Sequence, residues 1–338
     1  MTRHRILVLG VSSNVTIGIL KALRAQSDLD LHIVGACVSH RAAGFTFCDD
    51  WLICPYANDP GFSAWLTETA EAYQADAILS GVEAVLLKFA ELQAALAPRA
   101  VLVHSLRAAR TFTDKWLTCQ WFASHGLAHP ETLWIDGTVG FEELAETLGL
   151  PFIVKPAIGG GSNGLRRIGT REEYDALPEA AGLIAQQIVG TADEEYTCAV
   201  YQSPNGYRRV LIQRRYLKGG STSYAELVAD STIRAYCDAI ADAIGEPGAF
   251  NIQLRISDDG VPVCFEVNLR LSGTTHMRHQ FGFRDCVAWL IEAMGGHPRP
   301  ELFQPTGMVV GLRMENEVFL DEAGKERLLS LAAPDHGR

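Results

Sequence analysis

Residues 250 to 270, FNIQLRISDDGVPVCFEVNLR, alternate so strictly about Asp259-Gly260 that an antiparallel hairpin is the only regular structure they suit. Counting outward from a two-residue turn puts Ile256 opposite Val263, Leu254 opposite Phe265 and Gln253 opposite Glu266. One face is then apolar: Phe250, Ile252, Leu254, Ile256, Val261, Val263, Phe265 and Val267. The other carries Asn251, Gln253, Arg255, Glu266, Asn268 and Arg270. A sheet with one wet side would show the same alternation. Yet Gln253, Glu266 and Asn268 are hard oxygen donors converging on one face, a set that suits Mg²⁺ with substrate phosphates completing its octahedron. Arg270, two residues further along that face, is placed to neutralise charge on a transferring phosphoryl group.

The chain begins differently. RILVLGVSSNVTIGILKALRAQ reads as strand, glycine turn and amphipathic helix, LHIVGACVS as a second strand, and ADAILSGVEAVLLKFAELQ repeats the unit. Such alternation predicts right-handed βαβ units and a parallel sheet over residues 4 to 105. Residues 113 to 126 read as a helix with Thr113 as N-cap and Gly126 as the stop. AGLIAQQIV, YTCAVY and YRRVLIQRRYL are strand-like, STIRAYCDAIADAIG is a helix, and residues 317 to 338 are polar and helical.

Composition narrows the function. The 338 residues leave room for two or three domains, and 48% hydrophobic with 20% charged residues is the balance of a globular protein. A net charge of −11 disfavours a nucleic-acid partner, so anionic substrates need local basic groups. No apolar run approaches the roughly 18 residues of a membrane span, and no signal-peptide core precedes the first strand, so the expected location is cytoplasmic with no membrane partner. Eight scattered cysteines without a C-x-x-C pair predict buried thiols.

PFIVKPAIGGGSNGLRRI, residues 151 to 168, holds a G-x-G-x-x-G made by Gly159, Gly161 and Gly164. A dinucleotide loop must open a helix whose N-terminus receives the pyrophosphate. Here LRRI follows, then a capping box of Thr170 and Glu173, so the loop is expected to join two strands. The phosphate-loop pattern fails too, since Leu165 and Arg166 stand where Lys and Ser/Thr are required. The lysine lies upstream, Lys155 at the end of the strand PFIV. A strand lysine with a glycine hairpin suits a lid whose N–H groups fold over a triphosphate; an ordinary surface turn has the same composition.

The order Asp114-Lys115, Lys155, glycine lid, QQIV, Glu195-Tyr-Thr, Gln253 and E-x-N-x-R resembles the ATP-grasp superfamily, in particular one ATP-binding half of the carbamoyl-phosphate synthetase large subunit. The likeness runs over about residues 5 to 300 and rests on joint order and spacing. It implies an α/β, Rossmann-like N-terminal domain (1–112) followed by an α+β ATP-grasp fold of two subdomains with antiparallel sheets, a small lid (113–185) and a C-terminal part with the metal site (186–338). It implies a ligase that joins a small carboxylic acid, an amino acid among the candidates, to an amine acceptor through an acylphosphate, releasing ADP and phosphate. A homodimer is a candidate assembly. Carried over by position, Lys115 and Lys155 contact the phosphates, and Gly159, Gly160, Gly161, Ser162, Asn163 and Gly164 form the lid over ATP. Gln186, Gln187, Ile188 and Val189 form the hinge beside adenine, with Glu195 on the ribose. Gln253, Glu266 and Asn268 ligate Mg²⁺, and Arg270, with Lys155, is catalytic. The family commonly has an acid where Gln186 stands, and often one where Gln253 stands, although the carbamoyl-phosphate branch uses Gln there; a second Mg²⁺ is therefore open.

Two other classes compete. GVSSNVTIG resembles the nucleotide loop of a Rossmann NAD(P) oxidoreductase, but it lacks the middle glycine, and Ser39-His40-Arg41 offers no acid for a ribose hydroxyl. A non-catalytic ATP-binding regulatory module would have little use for Arg270. Ser12, Ser13, Asn14, Ser80 and Glu83 are candidate substrate contacts or plain caps. Arg208, Arg209, Arg214, Arg215 and Lys218 form either a guarded strand edge or an anion anchor near the metal. His276 and His279 lack a third ligand and are assigned no metal.

Overall fold

The computed structural model describes residues 2–159, 164–178, 182–297 and 299–331. Its first part is β1 (Arg3–Leu9), α1 (Asn14–Ala25), β2 (Asp30–Cys37), β3 (Asp50–Ile53), α2 (Phe62–Ala72), β4 (Ala77–Ser80), α3 (Glu83–Leu96) and β5 (Ala100–Val101). All pairings are parallel, in the order β3-β2-β1-β4-β5. The central strand is apolar on both faces because both are covered. Ile6 and Val8 pack with Ile19, Leu20 and Leu23 on one side, and Leu7 and Leu9 with Phe62, Leu66 and Phe89 on the other. Each such side chain contributes about 1.5–3 kcal/mol on burial. The strand order reverses between β1 and β4, which opens a crevice at their C-terminal ends, beside the starts of α1 and α3.

Next come α4 (Leu106–Thr113) and α5 (Lys115–Ser124). The N-cap of α5 is Asp114 rather than Thr113: the Asp114 carboxylate accepts from the N–H groups of Trp116 and Leu117, while Thr113 closes α4 with its hydroxyl donated to Ala109. A second sheet follows from β6 (Thr132–Ile135), α6 (Phe141–Leu148), β7 (Phe152–Pro156), β8 (Arg166–Ile168), α7 (Arg171–Asp175) and β9 (Leu183–Gln186). It is antiparallel in the order β6-β9-β7-β8, so the glycine loop does join two strands. The Thr170–Glu173 capping box forms as expected.

The third sheet contains β10 (Glu195–Gln202), β11 (Arg208–Lys218), β12 (Ser221–Leu227), then after α8 (Ser231–Ile244) the pair β13 (Gly248–Ile256) and β14 (Pro262–Asn268). Beyond α9 (Thr275–Gln280) and α10 (Asp285–Ala293), β15 (Val310–Leu312) completes it, and α11 (Glu322–Ser330) follows. The order is β14-β13-β10-β11-β12-β15, antiparallel throughout.

The hairpin register departs from the expected one in two compensating places. Ser257 N–H bonds to Val261 O, so the loop is one residue longer than a two-residue turn and Ile256 faces Pro262, Arg255 faces Val263 and Leu254 faces Cys264. A bulge at Phe265 then restores Gln253 opposite Glu266. Because a bulge gives one strand an extra residue, Cys264 and Val267 both enter the apolar core, and Phe265 turns to the polar face. Among the described residues no helix is long and apolar enough to cross a membrane, and all eight cysteines are free and buried.

Candidate active site

A cleft of about 410 Å³ lies between the two antiparallel sheets and the start of α1. Its described lining carries five cations, Lys115, Lys155, Arg215, Arg255 and Arg270, against two carboxylates, Glu195 and Glu266. In a chain of net charge −11 this is a local reversal of sign.

At the deep end, β7 delivers Lys155 and β9 ends on Gln186. Both are buried. The Lys155 ammonium donates to Gln186 Oε1 at 2.6 Å, and Gln186 Nε2 donates to Thr132 Oγ1 at 2.9 Å. With an amide in place of an acid, the ammonium has a neutral partner. Burial lowers its pKa to about 8, Glu266 pulls it back up, and Lys115 pushes it down. Lys115 opens α5 and donates from Nζ to Gly159 O. Gln187, Ile188 and Val189 continue along the wall with Pro130, Ile153 and Leu165. Of the glycine loop, Gly159 lines the cleft and Gly164 follows at positive φ; Gly160, Gly161, Ser162 and Asn163 lie outside the described residues.

On the opposite wall, β13 and β14 bring Gln253 and Glu266 into the lining, while Asn268, the last residue of β14, is buried outside it. Asn268 Nδ2 donates to Glu266 Oε1 at 2.8 Å, whereas Gln253 Oε1 already accepts from Arg215 Nη2 at 2.5 Å. Glu195 is buried between two guanidiniums, Arg215 at 2.8 Å and Arg255 at 2.8 Å. Its oxygens accept from both Nε groups and from Arg255 Nη2, with Arg215 Nη2 also at 2.8 Å, so a ribose hydroxyl would have to displace one of these contacts. Phe265 lines the same wall, with the Arg255 guanidinium 5.9 Å from its ring centre.

The basic run on β11 divides. Arg208 pairs with Asp238 and Asp242, and Arg214 with Glu226, away from the cleft. Arg209 stacks on Tyr207, and only Arg215 reaches the cleft lining. Arg270 sits beyond β14 with Nη2 2.6 Å from Glu83 Oε1.

The far end of the cleft is lined by Asn14, Val15, Gly220, Ser221, Thr222, Asn251, Ser272, Gly273 and Thr274. Ser12, Ser13 and Ser80 instead serve internal structure: Ser12 accepts from Cys37, Ser13 caps α1 at Thr16, and Ser80 donates to Leu9 O. Asn251 is fully buried with Oδ1 accepting from Thr197 and Nδ2 without a partner. Behind this end Arg313 donates to Asn14, Gly273 O and, at 2.7 Å, Thr222 O, all of them neutral. Sequence reasoning had no role for Asn251, Phe265, Ser272, Thr274 or Arg313. Phe265 is displaced by a bulge, and Arg313 reaches Asn14 across 299 residues. His279 is buried, which lowers its pKa to about 4, and no cluster of three or more His, Cys, Asp or Glu suited to a metal exists among the described residues.

Two antiparallel sheets close on a cationic cleft, with Lys155 on one wall and Glu266 and Arg270 on the other, the arrangement expected of an ATP-grasp fold. A family model described as ATP-grasp in the biosynthetic pathway with Ter operon matches residues 190–312. The D-alanine–D-alanine ligase of Cupriavidus metallidurans is 38% identical over 90 residues, covering 26% of this chain and 28% of that protein. The ligase of the same name from Nitrosomonas europaea is 30% identical over 81 residues, 22% of this chain and 27% of that protein. The matched segments thus span little more than a quarter of these curated relatives. Over most of the chain the similarity is structural. N5-carboxyaminoimidazole synthetase from Staphylococcus aureus, complexed with ADP, superposes with a TM-score of 0.71 at 16% identity, covering 91% of this chain and 80% of that one. L-amino acid ligase from Bacillus licheniformis gives 0.69 at 16% identity, covering 89% and 77%.

Proposed function

We propose that the chain is an ATP-dependent carboxylate–amine ligase, and the observation that carries this reading is the cleft's reversal of charge. Lys115 and Lys155 would hold the phosphates, beside Gly159 in the cleft lining. Gln186, Gln187, Ile188 and Val189 would edge the adenine, Phe265 would offer it an aromatic face, and Glu195 would take the ribose. Glu266 and Asn268 would hold Mg²⁺ together with the phosphates, a donor set of one carboxylate and amide oxygens that fits this hard cation; Gln253 would join them on releasing Arg215. The metal would supply charge neutralisation between the phosphates.

An acid in the far end, facing Asn14, Asn251 and Ser272–Thr274, would attack Pγ with a carboxylate oxygen. The bond to ADP breaks, and Arg270 would steady the charge spread over the equatorial oxygens. The amine then attacks the acyl carbon, loses a proton, and releases phosphate. A Cβ on Gly18 of α1 would stand 3.6 Å from Gly273 O, so α1 packs against that loop. The eight reduced thiols suit a cytoplasmic setting. The test is ADP release from Mg-ATP against a panel of small acids, each with and without candidate amines. The reading expects release that requires one acid and rises with one amine; release independent of every acid and amine, or none, contradicts it.

A further inference from the structure

Arg270, just beyond β14, is held by a carboxylate at the start of α3 in the N-terminal part. Glu83 is the first residue of α3, where the helix N-terminus favours a carboxylate. The turn before it is pinned: Gly81 N–H donates to Thr16 Oγ1 at 3.1 Å and Val82 N–H to Ser80 Oγ at 3.1 Å. A Cβ on Gly81 would stand 2.6 Å from Val15 Cγ1, so the turn sits directly on α1. From the other side, Arg270 N–H donates to Asn268 O at 2.7 Å, which ties its backbone to the strand carrying Glu266.

Between these two anchored backbones the guanidinium makes one strong contact, Nη2 to Glu83 Oε1 at 2.6 Å. Its Nη1 reaches Leu271 O at 3.2 Å, and its Nε is buried without a partner. The side chains are 16% and 31% exposed, so solvent screens the pair only in part. Arg270 therefore has N–H groups to spare for a phosphoryl oxygen, and the plane in which they point is set by Glu83. We infer that Glu83 is a positioning residue, which aligns the Arg270 fork for the transferring phosphoryl rather than contacting the nucleotide itself. This rests on the reading of Arg270 as the cation at that phosphoryl group. Preorganised donors act because they need no reorientation as charge develops, so loss of Glu83 should be felt in the transition state and not in ground-state binding.

The experiment compares, by calorimetry, affinity for Mg-ATP and for Mg-ADP with aluminium fluoride, which mimics the transferring group and needs no knowledge of the acid. Wild type, Glu83→Gln, Glu83→Ala, Arg270→Ala and the double variant Glu83→Ala/Arg270→Ala form a cycle. Arg270→Ala should lose about a hundredfold in affinity for the mimic and only several-fold for Mg-ATP. Each Glu83 variant should lose on the order of tenfold for the mimic, less than the roughly hundredfold that a group misplaced by about 1 Å can cost, with Mg-ATP affinity unchanged. In the Arg270→Ala background Glu83→Ala should cost nothing further. Glu83→Gln keeps the shape of the side chain, so the comparison stands even if Glu83→Ala melts early. The positioning role is overturned if the Glu83 variants keep wild-type preference for the mimic, if they weaken Mg-ATP equally, or if their loss persists undiminished without Arg270. If Arg270→Ala itself keeps the preference, the reading beneath fails instead, and that outcome is visible whatever Glu83 does.

Discussion

Lys155 shows how one unusual neighbour sets a residue's chemistry. Where an acid would have kept its ammonium charged, Gln186 offers an amide oxygen, and burial brings the pKa down to about 8. Bound phosphates favour the charged form and raise that pKa. Between the free and bound values, binding takes up a proton, so Mg-ATP affinity should fall by up to about tenfold per pH unit as pH rises above about 8. Below that pH the ammonium is already formed and the dependence disappears. Gln186→Glu should move the fall to higher pH by restoring a counter-charge. Calorimetry in two buffers of different ionisation heat reads the proton directly; an affinity flat through this range would place the binding charge elsewhere. Lys155, Glu266 and Arg270 were each singled out by a short pattern, and all three line the cleft, whereas Asn268 does not. Asn251 was not legible, since its unpartnered amide is a product of burial that no spacing reports.

The hairpin β13–β14 carries the same lesson at the scale of an element. Alternation announced it and placed Gln253 opposite Glu266, although two local irregularities lie between them and the turn. What alternation cannot express is a bulge, because period two has no place for an extra residue; Phe265 was therefore assigned to the core and is found in the cleft. The polar face supports little packing, which gives a direct prediction. Glu266→Ala should cost the unliganded protein no more than about 1–3 kcal/mol, the scale of leaving the Asn268 amide without its acceptor, while abolishing turnover and any Mg-dependent stabilisation by ATP. Wild type at a hundredfold excess over Kd should gain about 2.7 kcal/mol from Mg-ATP. Thermal melts with and without the metal decide it: a Glu266→Ala protein that retains the full Mg-dependent shift is not missing a ligand.

The whole molecule is joined by one of its cores. Ala199, Tyr201, Ala249 and Leu271 from the C-terminal part pack in the same cluster as Ile6, Val8, Ile19 and Leu20 of the first sheet and helix. That shared core brings Glu83 to Arg270 across 187 residues and Asn14 to Arg313 across 299. Such pairings escape a reading along the chain, because nothing local in VEAV or GLRM announces a distant partner; single strands were readable, but the pairing of β10 with β13 and of β12 with β15 was not. The central claim is that the cleft activates a carboxylate by phosphorylation. It is tested most directly with the acid that supports ADP release, labelled with ¹⁸O in its carboxylate, by mass analysis of the phosphate released on amide formation. An acylphosphate leaves one carboxylate oxygen on phosphorus, so the account predicts one ¹⁸O in each phosphate; unlabelled phosphate would contradict it.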